Sequence, residues 1–328
     1  MKTLALFNNK GGVGKTTLAY HLASIFPRLG KTVLAVDLDP QANLTAHFFE
    51  EERLEEIWDE GGPNVLTSLA PILSGKGDVA EPHPIPVADG AGPNQVFVLA
   101  GHLGLSRFED KLSESWPKGV FKDEAALRAT SAFHRLISAA GKKVSADIAV
   151  IDVGPNLGAI NRAALLAADY LLIPLGADLF SLQGLKNLGP AVRDWRGNWK
   201  LVRSLAKDVP VDLPEGSMTP IGYAVLRHAV RLDRPARNSA KWMDRIPSVY
   251  SEAVLGDGPQ TLTIEQDPNC LALLRNYGSL MPMAHEARKP MFDLRPADGA
   301  IGSHAQLVQT CREDFEKVGT AVLAACDL

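Results

Sequence analysis

Eight residues near the N-terminus, Lys10-Gly11-Gly12-Val13-Gly14-Lys15-Thr16-Thr17, constrain this chain more than any other feature. They stand between a short apolar run, residues 3 to 7, and a segment from Thr16 to Phe26 in which Leu18, Ala19, Leu22, Ala23 and Phe26 recur with helical spacing. A glycine-rich turn between a buried strand and a helix aims several backbone N–H groups at one point, and the helix N-terminus adds a positive partial charge there. Such a point binds phosphate. Lys15 is placed to set a point charge against the β- and γ-phosphates of ATP, and the Thr16 hydroxyl to ligate Mg²⁺. A run of this kind arises by chance in about one chain in 10⁵. An ordinary phosphate loop has glycine five residues before the Gly of Gly-Lys; here Asn9 holds that position and a second lysine, Lys10, follows it. The Gly-x-Gly-x-x-Gly dinucleotide fingerprint is absent, which disfavours NAD.

The rest of the chain supplies a frame for that loop. Thr32-Val33-Leu34-Ala35-Val36-Asp37 is a second short apolar strand, so the first segments form a β-loop-α-β unit with parallel strands. Further strands are expected at Val96 to Leu99, Ile148 to Asp152, Tyr170 to Pro174 and Ile221 to Leu226, each brief and continuously apolar, as strands covered on both faces are. The expected fold is α/β, a doubly wound, mostly parallel sheet flanked by helices, with ligand chemistry at the carboxyl ends of its strands. One domain is expected over residues 1–328, with embellishments at 61–95, where one helix is expected around Val65 to Leu73, and at 227–270.

Carboxylates stand where the frame needs them. Asp37 and Asp39 end the second strand and, two apart in extended chain, share a face at its mouth. Asp152 ends the apolar run Ile148-Ala149-Val150-Ile151, the form in which a carboxylate holds Mg²⁺, usually through water.

These residues resemble the ParA/MinD family of deviant Walker ATPases. Residues 10–17 look like its deviant Walker A, Val36-Asp37-Leu38-Asp39-Pro40-Gln41-Ala42-Asn43 like its switch I, and Ile151-Asp152-Val153-Gly154-Pro155 like its Walker B and switch II. Ala163 to Tyr170 with Leu172-Ile173-Pro174-Leu175, and Met281-Pro282-Met283-Ala284-His285-Glu286-Ala287 with Lys289-Pro290, are similar to later family segments. The resemblance implies an ATP-state sandwich homodimer in which Lys10 reaches across to the partner's phosphates, Asp39 positions the attacking water, Asp37 supports the Mg²⁺ shell, and Pro282 and Met283 lie near the base. It also implies slow hydrolysis stimulated by a ParB-like or cargo-adaptor protein. Switch II departs from many relatives in reading Val153-Gly154-Pro155-Asn156, and no helix-turn-helix precedes the first strand, so operator binding is not expected.

Composition limits what such a switch acts on. With a formal net charge of -4, the whole surface does not suit nucleic acid or membrane, and any basic site is local. Two stretches qualify as non-specific DNA contacts: Arg193, Arg196, Lys200, Arg203 and Lys207 at helical spacing, and Arg227, Arg231, Arg234, Arg237, Lys241 and Arg245. The tail from Phe315 to Leu328 has one lysine and reads as a core helix, not a membrane anchor. No signal peptide or 18-residue apolar run appears, so the cytoplasm is expected, with nucleoid association if DNA is bound. Cys270, Cys311 and Cys326 lack zinc or disulfide spacing, and His83, His102, His134, His228 and His285 lack a Ser/His/Asp partner pattern. Two other classes compete with DNA-bound partition: an ATP-controlled regulator of a secretion, polysaccharide or defence complex, and a carboxylate-activating synthetase on the same P-loop frame.

Overall fold

Alternate residues along each central strand face opposite apolar layers, and this alternation sets the architecture. Leu4, Leu6, Val33, Ala35, Ile148 and Val150 enter one layer; Ala5, Phe7, Leu34, Val36, Ala149 and Ile151 enter the other. Both faces of the sheet must therefore be covered by helices, since burying each Leu, Ile or Phe contributes ~1.5–3 kcal/mol. The computed structural model describes residues 1–87, 94–226 and 241–328.

The strands are β1 (Lys2–Leu6), β2 (Val33–Asp37), β3 (Ile85–Pro86), β4 (Val96–Leu99), β5 (Ile148–Asp152), β6 (Tyr170–Gly176), β7 (Thr219–Leu226) and β8 (Cys270–Leu274). They form one sheet in the order β3-β4-β2-β5-β1-β6-β7-β8. Among the described residues only the β3–β4 pairing is antiparallel. The doubly wound, mostly parallel sheet expected from the sequence is thus present, and every expected strand is found within two residues of its reading. β3 and β8 were not anticipated. β3 is two residues long and contains a proline, which leaves no periodicity to detect.

One layer packs α1 (Lys15–Ile25), α2 (Asn43–Phe48), α3 (Glu51–Trp58) and the C-terminal helix Ser303–Ala325. The other packs α4 (Val65–Leu73), α5 (Phe108–Ser115), α6 (Glu124–Thr130), α7 (Ala132–Lys143), α8 (Ala159–Leu166) and the long α9 (Leu179–Leu205). α4 matches the helix expected at 65–73, and Val65 N donates to Ala100 O at 2.9 Å, tying this stretch to the sheet. The C-terminal helix is a core element, as its sequence suggests. Phe315, Val318 and Val322 are buried, and at Gly319 a Cβ would lie within about 3 Å of Leu29 and Ile25 side chains. Among the described residues no helix is long and apolar enough to cross a membrane. Cys311 and Cys326 are buried, Cys270 is half-buried, and all three are free thiols.

Register places the site. Leu6 and Asp37 both pair with Asp152, so β1, β2 and β5 end level and the three loops that follow them converge.

Candidate phosphate and metal site

The loop after β1 takes its shape from two glycines in the left-handed region, Gly12 (φ +72°) and Gly14 (φ +84°), which L side chains rarely adopt. Gly14 also caps α1, and a Cβ there would meet Leu226 Cδ1 at 2.7 Å. Asn8 pins the loop's entry: its Nδ2 donates to Pro174 O at 2.7 Å and its Oδ1 accepts from Lys10 N at 2.9 Å.

Lys15 opens α1 and is 7% exposed. Its Nζ makes one long hydrogen bond, to Lys10 O at 3.4 Å. Burial lowers its pKa, while Asp152 and Asp39 favour the charged form and only partly offset that. An ammonium held this dry, with most of its donor capacity unused, is built to meet an anion.

Asp152 is its counterpart. Both carboxylate oxygens are fully buried and have no hydrogen-bond partner among the described residues. Burial drives its pKa well up, and the neighbouring Asp37 carboxylate adds to this; Thr16 and Lys15 act the other way and lose. Two unpaired acceptor oxygens at this depth cost several kcal/mol unless something cationic reaches them. A divalent ion held by carboxylate and hydroxyl oxygens suits Asp152 and Thr16.

Asp37 is differently employed. Its Oδ2 accepts from Thr45 N at 2.8 Å and Thr45 Oγ1 at 2.7 Å, and Thr45 Oγ1 in turn accepts from Gly101 N at 2.8 Å. Burial raises its pKa, and the Thr45 bonds hold it back. Asp37 thus fastens the loop between β2 and α2 while lying beside Asp152. Asp39 is 8% exposed; its Oδ1 accepts from Gln41 N at 3.0 Å and faces Gly154 of the loop after β5. That loop is held by Asn161, whose Nδ2 donates to Gly154 O at 2.8 Å and Asn156 O at 2.7 Å.

The structure therefore brings Lys15, Thr16, Asp37, Asp39 and Asp152 together. It adds one residue that sequence reasoning missed. Lys10 Nζ sits 2.6 Å from Asp178 Oδ2, and 5.7 Å from the ring centroid of Phe180. Asp178 caps α9, its Oδ1 accepting from Ser181 N at 2.9 Å. Burial opposes its charge, but Lys10 and the Ser181 N–H outweigh this and hold its pKa below the ordinary value. The cap itself was legible as an acid three residues before Ser181; a partner 168 residues away was not.

Pro282 and Met283 lie on the helix Met281–Ala287. A cavity of about 330 Å³ separates that helix from α1 and α2, lined by Thr17, Tyr20, His47, Met281, Ala284 and His285 among others, with Pro282 and Met283 outside its lining. Of the other histidines, His102 Nδ1 accepts from Gly104 N at 2.8 Å, a structural cap, and His134 lies 3.6 Å from Asp212. Of the basic residues, Arg193, Arg196, Lys200 and Arg203 share one side of α9. Lys241 and Arg245 are described, and both approach the Trp242 ring at 5.3 Å. Arg227, His228, Arg231, Arg234 and Arg237 lie outside the described residues.

The chain is similar to known proteins. The AAA_31 family of AAA domains matches residues 1–201. Protein IncC of Escherichia coli is 30% identical over 262 residues, 78% of this chain and 59% of that one. The chromosome partitioning protein ParA of Caulobacter vibrioides is 28% identical over 202 residues, 60% of this chain and 64% of that one. The chain thus spans about three fifths of the length of these curated relatives. A plasmid partition protein of Borrelia burgdorferi, solved bound to AMPPNP, has the same fold, with TM-score 0.58 and 18% identity over 98% of both chains.

Proposed function

Since the chain belongs to the AAA_31 family, and within it to the ParA-type partition ATPases, we propose that it is a Mg²⁺-dependent ATPase whose ATP-bound homodimer positions a cargo on DNA. The observation that carries the reading is the buried, unpartnered Asp152 carboxylate beside Lys15 and Thr16.

In this reading the N–H groups of residues 11–17 and the Lys15 ammonium hold the phosphates of ATP. Thr16 and Asp152 would hold Mg²⁺, with Asp37 behind them, and the ion would supply positive charge to offset that of the phosphates. Asp39 orients the attacking water. Lys10 leaves Asp178 and meets the γ-phosphate of the partner subunit, where its charge offsets what develops on the transferred phosphoryl group. Beside Lys10, Phe180 is 71% exposed, and the neighbouring Leu179, which opens α9, is 49% exposed. Exposed apolar residues beside Lys10 support such a closure, in which a second copy would cover them.

Hydrolysis is slow until a ParB-like or cargo-adaptor protein stimulates it, and then resets the dimer. Non-specific DNA is the track, held by the basic residues of α9 and of the 227–245 stretch, and the cargo is a plasmid, a chromosome or a protein body. Pro282 and Met283, on the helix Met281–Ala287, are the residues this reading assigns to the neighbourhood of the base.

Calorimetric titration of the protein with ATP tests the premise. ATP binding is expected to tighten with Mg²⁺ and to vanish in Lys15→Ala, while Asp152→Asn binds ATP no more tightly with Mg²⁺ than without it. Wild-type ATP binding that ignores Mg²⁺, or ATP binding that survives Lys15→Ala, would contradict it.

A further inference from the structure

At the end of α9 remote from the phosphate loop, a groove gathers cations for which ATP chemistry has no use. α9 starts beside Lys10 and runs back along the sheet, so Arg203 stands ~37 Å along the helix from its cap at ~1.5 Å rise per residue. Arg193, Arg196, Lys200 and Arg203 repeat at intervals of three and four, which stacks them on one side of the helix. With Glu215 and Ser217 they line a cavity of about 460 Å³.

The opposing wall is rigid. Trp199, 1% exposed, donates its Nε1–H to Pro214 O at 2.9 Å. Gly216, at φ +67°, lies so close to the indole that a Cβ would come within 2.3 Å of Trp199 Cδ1. These two contacts hold the 214–217 loop against α9 and set Glu215 over the basic row. Its carboxylate takes both guanidinium nitrogens of Arg203, the second at 2.6 Å. Arg193 is also committed, donating to the carbonyls of Ala253 and Val254. Arg196 and Lys200 are exposed and form no ion pair or hydrogen bond among the described residues. The result is two free cations, one cation bound by an internal carboxylate, and one anchored to the backbone.

We propose that this groove grips successive backbone phosphates of DNA, with Arg196 and Lys200 making the first contacts and Glu215 competing with phosphate for Arg203. The inference rests on the DNA reading above and assigns its contact site and a built-in brake. The cations are strung over ~15 Å of helix rather than converging on one point, which fits a chain of regularly spaced charges better than a single small anion. Phosphate presents the same paired acceptor oxygens to a guanidinium as carboxylate does, so the Arg203–Glu215 bond is exchangeable. Until it exchanges, Glu215 also repels the incoming strand.

The test is fluorescence anisotropy of a labelled random-sequence duplex with the full chain, ATP and Mg²⁺, from about 50 to 200 mM salt. Arg196→Ala/Lys200→Ala is expected to weaken binding roughly tenfold and to reduce the log–log salt slope by about 2, as loss of two phosphate contacts would. Glu215→Gln is expected to tighten binding several-fold and steepen the slope by about 1. Both variants should keep wild-type ATP affinity and thermal melting. If the wild type binds DNA but the variants match it in affinity and slope, the groove is wrong and the DNA reading stands. If the wild type binds no duplex, the DNA reading itself fails and this inference with it. A parallel titration with tripolyphosphate separates the sources: capture of that anion, lost in Arg196→Ala/Lys200→Ala, without duplex binding overturns the assignment to DNA.

Discussion

The two ends of the sheet handle charge in opposite ways. At the carboxyl ends of β1, β2 and β5, Lys15, Asp37 and Asp152 are dry; among the described residues Asp152 has no hydrogen-bond partner and Lys15 has only a long bond to a carbonyl. Along α9, near the amino end of β7, Arg196 and Lys200 are wet, and Arg203 already has a carboxylate. Unpaired charge in a low-dielectric site is costly, so the first end is committed to a ligand that completes it and binds with little regard to salt. Exposed charge costs little and is screened within ~8–10 Å, so the second end binds weakly, reversibly and in a salt-dependent way. One end is a lock for a nucleotide; the other suits a surface that must let go.

Substitutions can break this contrast. The largest effect is expected from Lys15→Ala, which removes one member of a buried charge cluster, a loss on the order of 3–5 kcal/mol, and should cut ATP affinity at least a hundredfold at both low and high salt. An affinity that recovers when salt is lowered would mean the site is wetter than it looks.

His21, buried on α1, shows the same cost of charge in a dry place. Its Nδ1 lies 2.7 Å from Thr17 O and its Nε2 accepts from Met291 N at 3.0 Å, which fixes a neutral ring between α1 and the C-terminal segment. Burial lowers its pKa to about 4, partly offset by the Thr17 carbonyl. The unfolded chain, with an ordinary histidine pKa near 6.5, therefore binds a proton that the folded chain refuses. Stability from this group is complete above about pH 6.5 and is lost as pH falls toward 4, roughly 3 kcal/mol in all. Denaturant unfolding at pH 7 and pH 4 should show this loss in the wild type and a smaller one in His21→Gln; equal losses would exonerate His21.

A smaller effect is expected at Asp178. Asp178→Asn keeps an oxygen for the Ser181 N–H and gives up the ion pair with Lys10, whose side chains are 29% and 34% exposed. Such a half-exposed pair contributes at most about 1 kcal/mol, so folding should barely change. Lys10, released, should favour the dimer at lower ATP, readable as a shift in the ATP concentration for half-maximal dimerisation. The smallest effect concerns the far end: Arg196→Ala should move neither ATP affinity nor folding stability by more than about 0.5 kcal/mol. A clear loss of ATP binding would show that the two ends are not separable.

What the sequence made legible was what is local. The glycine loop, the carboxylates at strand ends and the short apolar strands each declare themselves within a few residues, and the register then aligns Asp37 with Asp152. The second use of these groups was hidden. That Asp37 spends one oxygen on Thr45, or that Lys10 meets Asp178, depends on strands crossing over one another. Glu215 gave no signal, because its effect follows from Gly216 and Trp199 folding one loop onto α9. Helix phase hid part of the late segment as well. Met281, Ala284 and His285 turn toward α1, whereas Pro282 and Met283 do not line that cavity.

The central claim is that two chains close over ATP with Lys10 completing each other's pocket. Light scattering of Asp39→Ala with ATP and Mg²⁺ tests it most directly, because a dimer that cannot hydrolyse should accumulate. The expected result is twice the monomer mass with ATP, monomer with ADP, and monomer under both conditions when Lys10→Ala is added. A monomer with ATP in Asp39→Ala, or a dimer indifferent to Lys10, would contradict it.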